Sequence, residues 1–241
     1  MNVSNVIVTG AAQGIGKAVA VTLAADPTMS LLLADIQSDK VAEVAAELGA
    51  TSTQVDIASP ESCQDMVQVA VDRLGGLDAV VQVAGLDAPA GTAKDTHPDL
   101  WRRVIDIDLS GPWWVAKSAV DHMVQHGGGR IVIVSSVSAH VPSDGTTPAY
   151  NAAKAGLHGL VVAMAHQLEG DGILVNAIAP GATGTGQPLT NDERTMLEEI
   201  FPLGLGGPQP VADMASFLLG PGGDWVSGAI FNVSGGMHKG R

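Results

Sequence analysis

The chain has 241 residues, 46% of them apolar and 15% charged, which is enough aliphatic content to bury a sizeable core and too little charge for a disordered segment. Its net charge of -13, from 25 acidic against 12 basic residues, leaves no clustered Lys and Arg of the kind phosphate-backbone binding depends on, so no nucleic-acid partner is expected. The single cysteine, Cys63, rules out an intrachain disulfide and a cysteine-rich zinc site, and no metal is expected.

The first strand-like run, 3–9, leads straight into Thr9-Gly10-Ala11-Ala12-Gln13-Gly14-Ile15-Gly16 and then a helical pattern over 15–25. Glycines fall where the backbone must turn tightly and approach a diphosphate, and the amides at the helix start would face that anion. A second apolar run, 31–35, ends at Asp35, nineteen residues beyond Gly16, where a carboxylate accepts hydrogen bonds from adenosine ribose hydroxyls. The same carboxylate repels a 2′-phosphate, and neither Gln13 nor Ile36 offers a cation to attract one, so NAD is expected rather than NADP. After a helix over 40–48, a third run, 53–56, closes at Asp56, followed by Ile57. Asp56 reads either as a partner for the adenine amino group or as a helix cap for the stretch 60–74.

A fourth run, 79–84, ends at Ala84-Gly85, and a long helical pattern follows from about 99 to 125. This pattern carries Asp108 and the Trp113, Trp114 and Ala116 face, whose breadth suits core and interface packing. A fifth run, 130–135, ends in Ser135-Ser136, putting a hydroxyl at the sheet edge where ligands bind, and Ser138 and His140 follow it toward the expected substrate. In the next helix, 149–169, Tyr150 and Lys154 are four apart and share one face. Carbonyl chemistry needs one proton delivered as hydride arrives; a free phenol titrates near pH ~10, and an adjacent ammonium favours its phenolate form. Tyr150 is the chain's only tyrosine.

A sixth run, 174–179, precedes Pro180-Gly181. The stretch 181–207 has no strand signal, only Gly, Pro and Thr around a short acidic helix at 191–201; it reads as a lid over the substrate, with Gln187 beneath it and Asp87, Leu189 and Met196 on other walls. A helix at 211–219 and a seventh run at 229–233 complete the chain. Strands alternating with helices of this length imply right-handed crossovers and a doubly wound α/β fold: a seven-stranded parallel sheet of Rossmann type in three layers, as a single domain spanning 1–241.

Taken as a set, these residues resemble the short-chain dehydrogenase/reductase family along nearly the whole chain. Thr9 to Gly16 resembles its cofactor turn, Tyr150 to Lys154 its YxxxK motif, and Ser136, fourteen residues before the tyrosine, its catalytic serine. Asn176, Pro180-Gly181, Thr185, the stretch 200–204 and Ser234-Gly235-Gly236 extend the match. The resemblance implies that Ala84, Gly85, Pro180, Gly181, Thr183 and Thr185 also border the cofactor. It further implies a small alcohol or ketone substrate, Tyr150 as general acid/base and a homotetramer or homodimer.

The chain departs from that family twice. Gln82-Val83-Ala84-Gly85 stands where the family has Asn-Asn-Ala-Gly, and Asp108 stands at the asparagine of its catalytic tetrad. An ionised Asp108 near Lys154 would partly neutralise the charge that tunes Tyr150 and move the activity optimum to higher pH. Two other readings stay open: an NADP-dependent ketoreductase of the same fold, and a silent relative that binds dinucleotide as a sensor or scaffold. No run reaches the ~18 to 20 apolar residues that span a bilayer, and the chain starts on a strand without a basic leader, so no membrane association and a cytoplasmic location are expected.

Overall fold

The apolar runs form seven strands that lie side by side and all parallel: β1 (Asn5–Thr9), β2 (Ser30–Asp35), β3 (Thr51–Gln54), β4 (Ala79–Gln82), β5 (Gly129–Val134), β6 (Ile173–Pro180) and β7 (Ile230–Val233). Their order is β3-β2-β1-β4-β5-β6-β7. The computed structural model describes residues 3–142, 144–184, 195, 197 and 199–239.

Side chains alternate across the pleat, which splits each apolar run between two cores. Val6 and Val8 of β1, Leu31 and Leu33 of β2 and Val132 and Val134 of β5 pack under α1 (Gly14–Ala24), α2 (Ser38–Leu48) and α7 (Gln209–Leu219). Ile7, Leu32, Ile131 and Ile133 point the other way, onto α3 (Pro60–Leu74), α5 (Gly111–Met123) and α6 (Pro148–Leu168). Both faces are covered, and this is why the strands read as continuous apolar runs. Trp113 and Trp114 pack partly buried on the second core, and Cys63 lies wholly inside it, its thiol pushed up to about 12 by burial and by nearby Asp56.

The chain moves outward from β1 to β2 and β3, then returns to place β4 on the opposite side of β1. Loops leaving the ends of β1 and β4 therefore diverge and leave a crevice between them, the place where such sheets hold ligands.

Three boundaries differ from the sequence reading for identifiable reasons. The third strand ends at Gln54 and not at Asp56: the Val55 amide still bonds the Asp35 carbonyl at 3.0 Å, but Asp56 turns away and its carboxylate accepts from Ala58 N at 2.9 Å. The fourth ends at Gln82 because the amides of Val83 and Ala84 donate to the Thr9 hydroxyl and not to a neighbouring strand. The long pattern over 99–125 is two helices, α4 (Pro98–Ile105) and α5, joined by a π-helical turn at Asp106–Ser110. Pro112 has no N–H to give the carbonyl of Asp108 four residues back and crowds it, so the Gly111 amide reaches back five residues to Asp106 instead. That wider turn is where Asp108 becomes fully buried.

Candidate active site

At the end of β1 the glycines do separate work. A Cβ on Gly10 would lie 2.8 Å from the Ala84 amide nitrogen, so only glycine lets the ends of β1 and β4 close on each other; Gly10 also holds φ +67. Thr9 fastens the same junction, its hydroxyl accepting from Val83 N at 3.1 Å and Ala84 N at 3.2 Å. A Cβ on Gly16 would stand 2.1 Å from the Gly10 carbonyl oxygen, so this position sets how near α1 can approach the strand. Gly14, at φ +55, faces open space.

The start of α1 suits an anion. Gln13 is extended and makes no side-chain cap, and the first turn contains no acidic residue, so neither the cap side chain nor a first-turn carboxylate occupies the leading amides or repels an anion from them. Asp35 is only 6% exposed, its carboxylate accepting from Ala12 N at 3.1 Å through Oδ2 and from Gln37 N at 3.0 Å through Oδ1. Each oxygen keeps a second lone pair for a diol. Ile36 is exposed beside it and Ile57 is buried against Gly111; Asp56 is exposed and serves its own loop as a cap. Amides without side-chain partners, a glycine opening and a fixed carboxylate together fit a dinucleotide.

On the other side of the crevice α6 begins with Thr147, whose hydroxyl accepts from the Ala149 amide, and with Pro148 in the first turn. One turn of helix brings Lys154 Nζ to 5.4 Å from the centroid of the Tyr150 ring. Both are nearly buried, the phenol packed against Leu86, Leu100, Val104 and Ile105. Ser136 Oγ accepts from the Ser138 amide at 3.1 Å, which leaves its own proton to be donated elsewhere. Asn151, next to the tyrosine, donates to the Ser138 carbonyl at 2.7 Å and ties this serine loop to α6. Ser135 adds a second tie, donating to the Lys154 carbonyl at 3.1 Å and meeting His158 Nε2 at 2.9 Å. Burial, with His140 nearby, pushes the His158 imidazole down to about 4.

Asp108 closes the group. Its Oδ1 lies 3.2 Å from Lys154 Nζ and accepts from Leu86 N at 3.0 Å, while Oδ2 has no hydrogen-bond partner among the described residues. A Cβ on Gly85 would meet Asp108 Oδ1 at 2.7 Å and Lys154 Nζ at 3.4 Å, so this position admits only glycine without displacing the pair. Gln82, fully buried, bends back to donate to the Ala84 carbonyl at 2.8 Å and thereby holds the strand end that Gly85 follows.

The structure thus gathers Tyr150, Lys154, Asp108 and Gly85 at one point, with Ser136 anchored through its loop to the same helix. Pro180 pairs with Val233 at the end of β6, and Gly181, whose amide bonds the Val233 carbonyl, borders with Thr183 and Phe201 a cavity of about 390 Å³. His140 is exposed and stacks on His238, ring centroids 4.8 Å apart, and Ser138 takes part through its backbone in holding Ser136. Asp87 is exposed next to Leu86. Thr185, Gln187, Leu189, Met196 and most of the expected acidic helix lie outside the described residues. Among those described, no cluster of His, Cys, Asp and Glu is placed to hold a metal, and no helix is long and apolar enough to cross a membrane.

Sequence reasoning did not find Thr9, Leu86, Ser135 or Asn151 as working parts. Thr9 and Asn151 did carry signals: a hydroxyl closing the apolar Val6-Ile7-Val8 run, and a side-chain amide adjoining the lone tyrosine.

A family model described as short chain dehydrogenase matches residues 4–195. The chain is 35% identical over 237 residues to a cis-4-hydroxycyclohexanecarboxylate dehydrogenase of Sinomonas cyclohexanicum, a match covering 95% of this chain and 94% of that protein. It is 36% identical over 245 residues to an L-rhamnose 1-dehydrogenase (NAD(P)(+)) of a Sphingomonas species, covering 97% and 95%. Among solved structures, a short-chain type dehydrogenase/reductase from Mycobacterium ulcerans superposes with a TM-score of 0.91 at 28% identity, covering 98% of this chain and 91% of that one.

Proposed function

Because this chain belongs to the short-chain dehydrogenase family, we propose that it is an NAD-linked oxidoreductase acting on a small secondary alcohol or its ketone. The observation that carries this reading is the lone tyrosine held 5.4 Å from a buried lysine, beside a strand end that only glycine can occupy.

Gly10, Gln13, Gly14, Ile15 and Gly16 would hold the diphosphate of the cofactor, with Asp35 on the adenosine ribose and Ile36, Asp56 and Ile57 around the adenine. Ala84, Gly85, Pro180, Gly181, Thr183 and Thr185 would border its other half. A nicotinamide held there would supply the hydride acceptor for alcohol oxidation and the hydride donor for carbonyl reduction. Tyr150 takes the hydroxyl proton in oxidation and gives it back in reduction, while the Ser136 hydroxyl donates to the reacting oxygen. Lys154 holds positive charge against the phenol and favours its ionised form. The preference for NAD is supported by the buried Asp35 carboxylate and by the absence of a cation at Gln13 and Ile36.

The named substrates of the two relatives, a hydroxylated ring acid and a sugar, support an alcohol or lactol of modest size. Ser138, His140 and Gln187 would touch it, under a lid formed by residues 181–207 of a single 1–241 domain. A homotetramer or homodimer in the cytoplasm completes the proposal; exposed Phe217 and Trp225 on and after α7 support assembly, and the mass in solution is the direct check.

A nicotinamide absorbance assay over a panel of secondary alcohols and ketones, with each dinucleotide, tests the reading. Tyr150→Phe should lower turnover by about a thousandfold or more while dinucleotide affinity stays within a few-fold. The pairing of Lys154 with Asp108 favours one second reading, a dinucleotide-binding sensor without turnover; that reading requires wild type and Tyr150→Phe to be equally inert.

A further inference from the structure

Asp108 meets the lysine that the chemistry needs as a cation. Within 3.2 Å of Lys154 Nζ lies a carboxylate with no solvent exposure, on a turn whose π-helical form follows from Pro112. The hydrogen-bond arrangement speaks for an ionised carboxylate: both neighbours of Oδ1, the ammonium and the Leu86 amide, are donors. Burial pushes the Asp108 carboxyl above its ordinary range, and the Lys154 ammonium and the Leu86 amide draw it only part of the way back.

The charged residues of α4 are exposed, Asp99 and Arg102 pairing with each other and Arg103 beside them. The packing around the phenol from α4, the π-helical turn and the loop after β4 is apolar, made by Leu86, Leu100, Val104, Ile105 and Leu109. Asp106 on the same turn and Asp87 on the loop are both exposed, and His158, one turn beyond Lys154 on α6, faces Ser135. Lys154 therefore has Asp108 as its ion-pair partner, and Tyr150 experiences the two together.

We propose that Asp108 is a tuning residue that cancels the charge of Lys154, so that the Tyr150 phenolate forms at higher pH than the lysine alone would allow. The inference rests on Tyr150 and Lys154 being the working pair of the proposed oxidoreductase. It makes the alcohol-oxidising direction, which needs phenolate, an alkaline activity. Asp108 touches neither substrate nor reacting atoms; it acts through Lys154.

The chain carries its own reporter. Tyr150 is its only tyrosine, so the ultraviolet absorbance of tyrosinate reads this one phenol without substrate or nucleotide. Contacts of 3.2 Å and 5.4 Å put the carboxylate within roughly 9 Å of the ring, and removal of a unit charge at that range moves the onset of ionisation by about one pH unit. Absorbance titrations of wild type, Asp108→Asn and Asp108→Ser should show tyrosinate appearing about one unit lower in both variants, with circular dichroism establishing that each is folded. Identical onsets in wild type and Asp108→Asn would overturn the proposal, and so would a shift in Asp108→Ser alone, because that would be an effect of lost volume and not of charge. If the shift appears but no alcohol or ketone is turned over, the charge pairing stands and the proposed function falls.

Discussion

Replacing Asp35 by Asn tests the nucleotide preference in the form the structure permits it to be calculated. The substitution keeps shape and removes one charge from a site only 6% exposed. A 2′-phosphate carries roughly -1.5 to -2 charge; at a separation of about 6 Å and an effective dielectric of about 20 to 40, its repulsion by the carboxylate amounts to about 2 to 5 kcal/mol. Salt screening favours the lower figure, so NADP should bind about thirtyfold tighter to the variant. NAD should bind about five- to tenfold weaker, because a charged acceptor on the ribose becomes a neutral one. The fold is also affected. Asp35 accepts from Ala12 N and Gln37 N, one through each oxygen, whereas asparagine has a single acceptor oxygen and must turn its NH₂ toward one of those amides. That loss is worth about 1–3 kcal/mol, or a fall of several degrees in Tm for a chain of this length. Calorimetric titration with both nucleotides, and a thermal scan of each protein, give the three quantities. A lower Tm with an unchanged ratio of NAD to NADP affinity would mean that Asp35 is a strut for the glycine turn and no more.

The two inner glycines should separate by mechanism. Gly16→Ala forces a Cβ to 2.1 Å from backbone, so strand and helix must part; a loss of about 3 kcal/mol or more in thermal stability is expected, together with most of the nucleotide affinity. Gly14→Ala meets open space and has only its φ of +55 to contend with, a cost of about 1–2 kcal/mol, and equal effects of the two substitutions would contradict the geometry. His158 gives the chain a pH-dependent term. Its folded-state value of about 4 lies below the ordinary 6.5, so as pH falls the unfolded chain takes up its proton first. Stability should be full above about 6.5 and decline between 6.5 and 4, by an amount on the order of 2 kcal/mol, and denaturant titrations of His158→Leu should lack that decline.

Much of the site was legible because its parts are close in sequence. Tyr150 and Lys154 share a face through helical periodicity alone, and the glycine spacing from Gly10 to Gly16 encodes a strand, a turn and a helix start without reference to the rest of the chain. Short continuous apolar runs identified every strand, although β3 and β4 end earlier than those runs do, where side-chain hydroxyls and carboxylates replace strand partners. The break between α4 and α5 had a local sign in Pro112, outweighed in the sequence by an uninterrupted helical pattern on both sides.

The sequence by itself determined the order of elements, the parallel sheet, the identity of the family and the candidate groups of the site, because periodicity and short spacings are properties of neighbouring residues. Only the folded chain decided how those groups meet. Leu86 supplies an amide to Asp108 across 22 positions, Thr9 reaches Val83 across 74, and Lys154 faces a carboxylate brought in by another helix. Such contacts depend on which strands lie side by side and on how nearly the glycines let them approach, and no local rule carries that information. The pairing of Lys154 with Asp108, and the setting of Tyr150 beside it, are therefore properties of the tertiary structure.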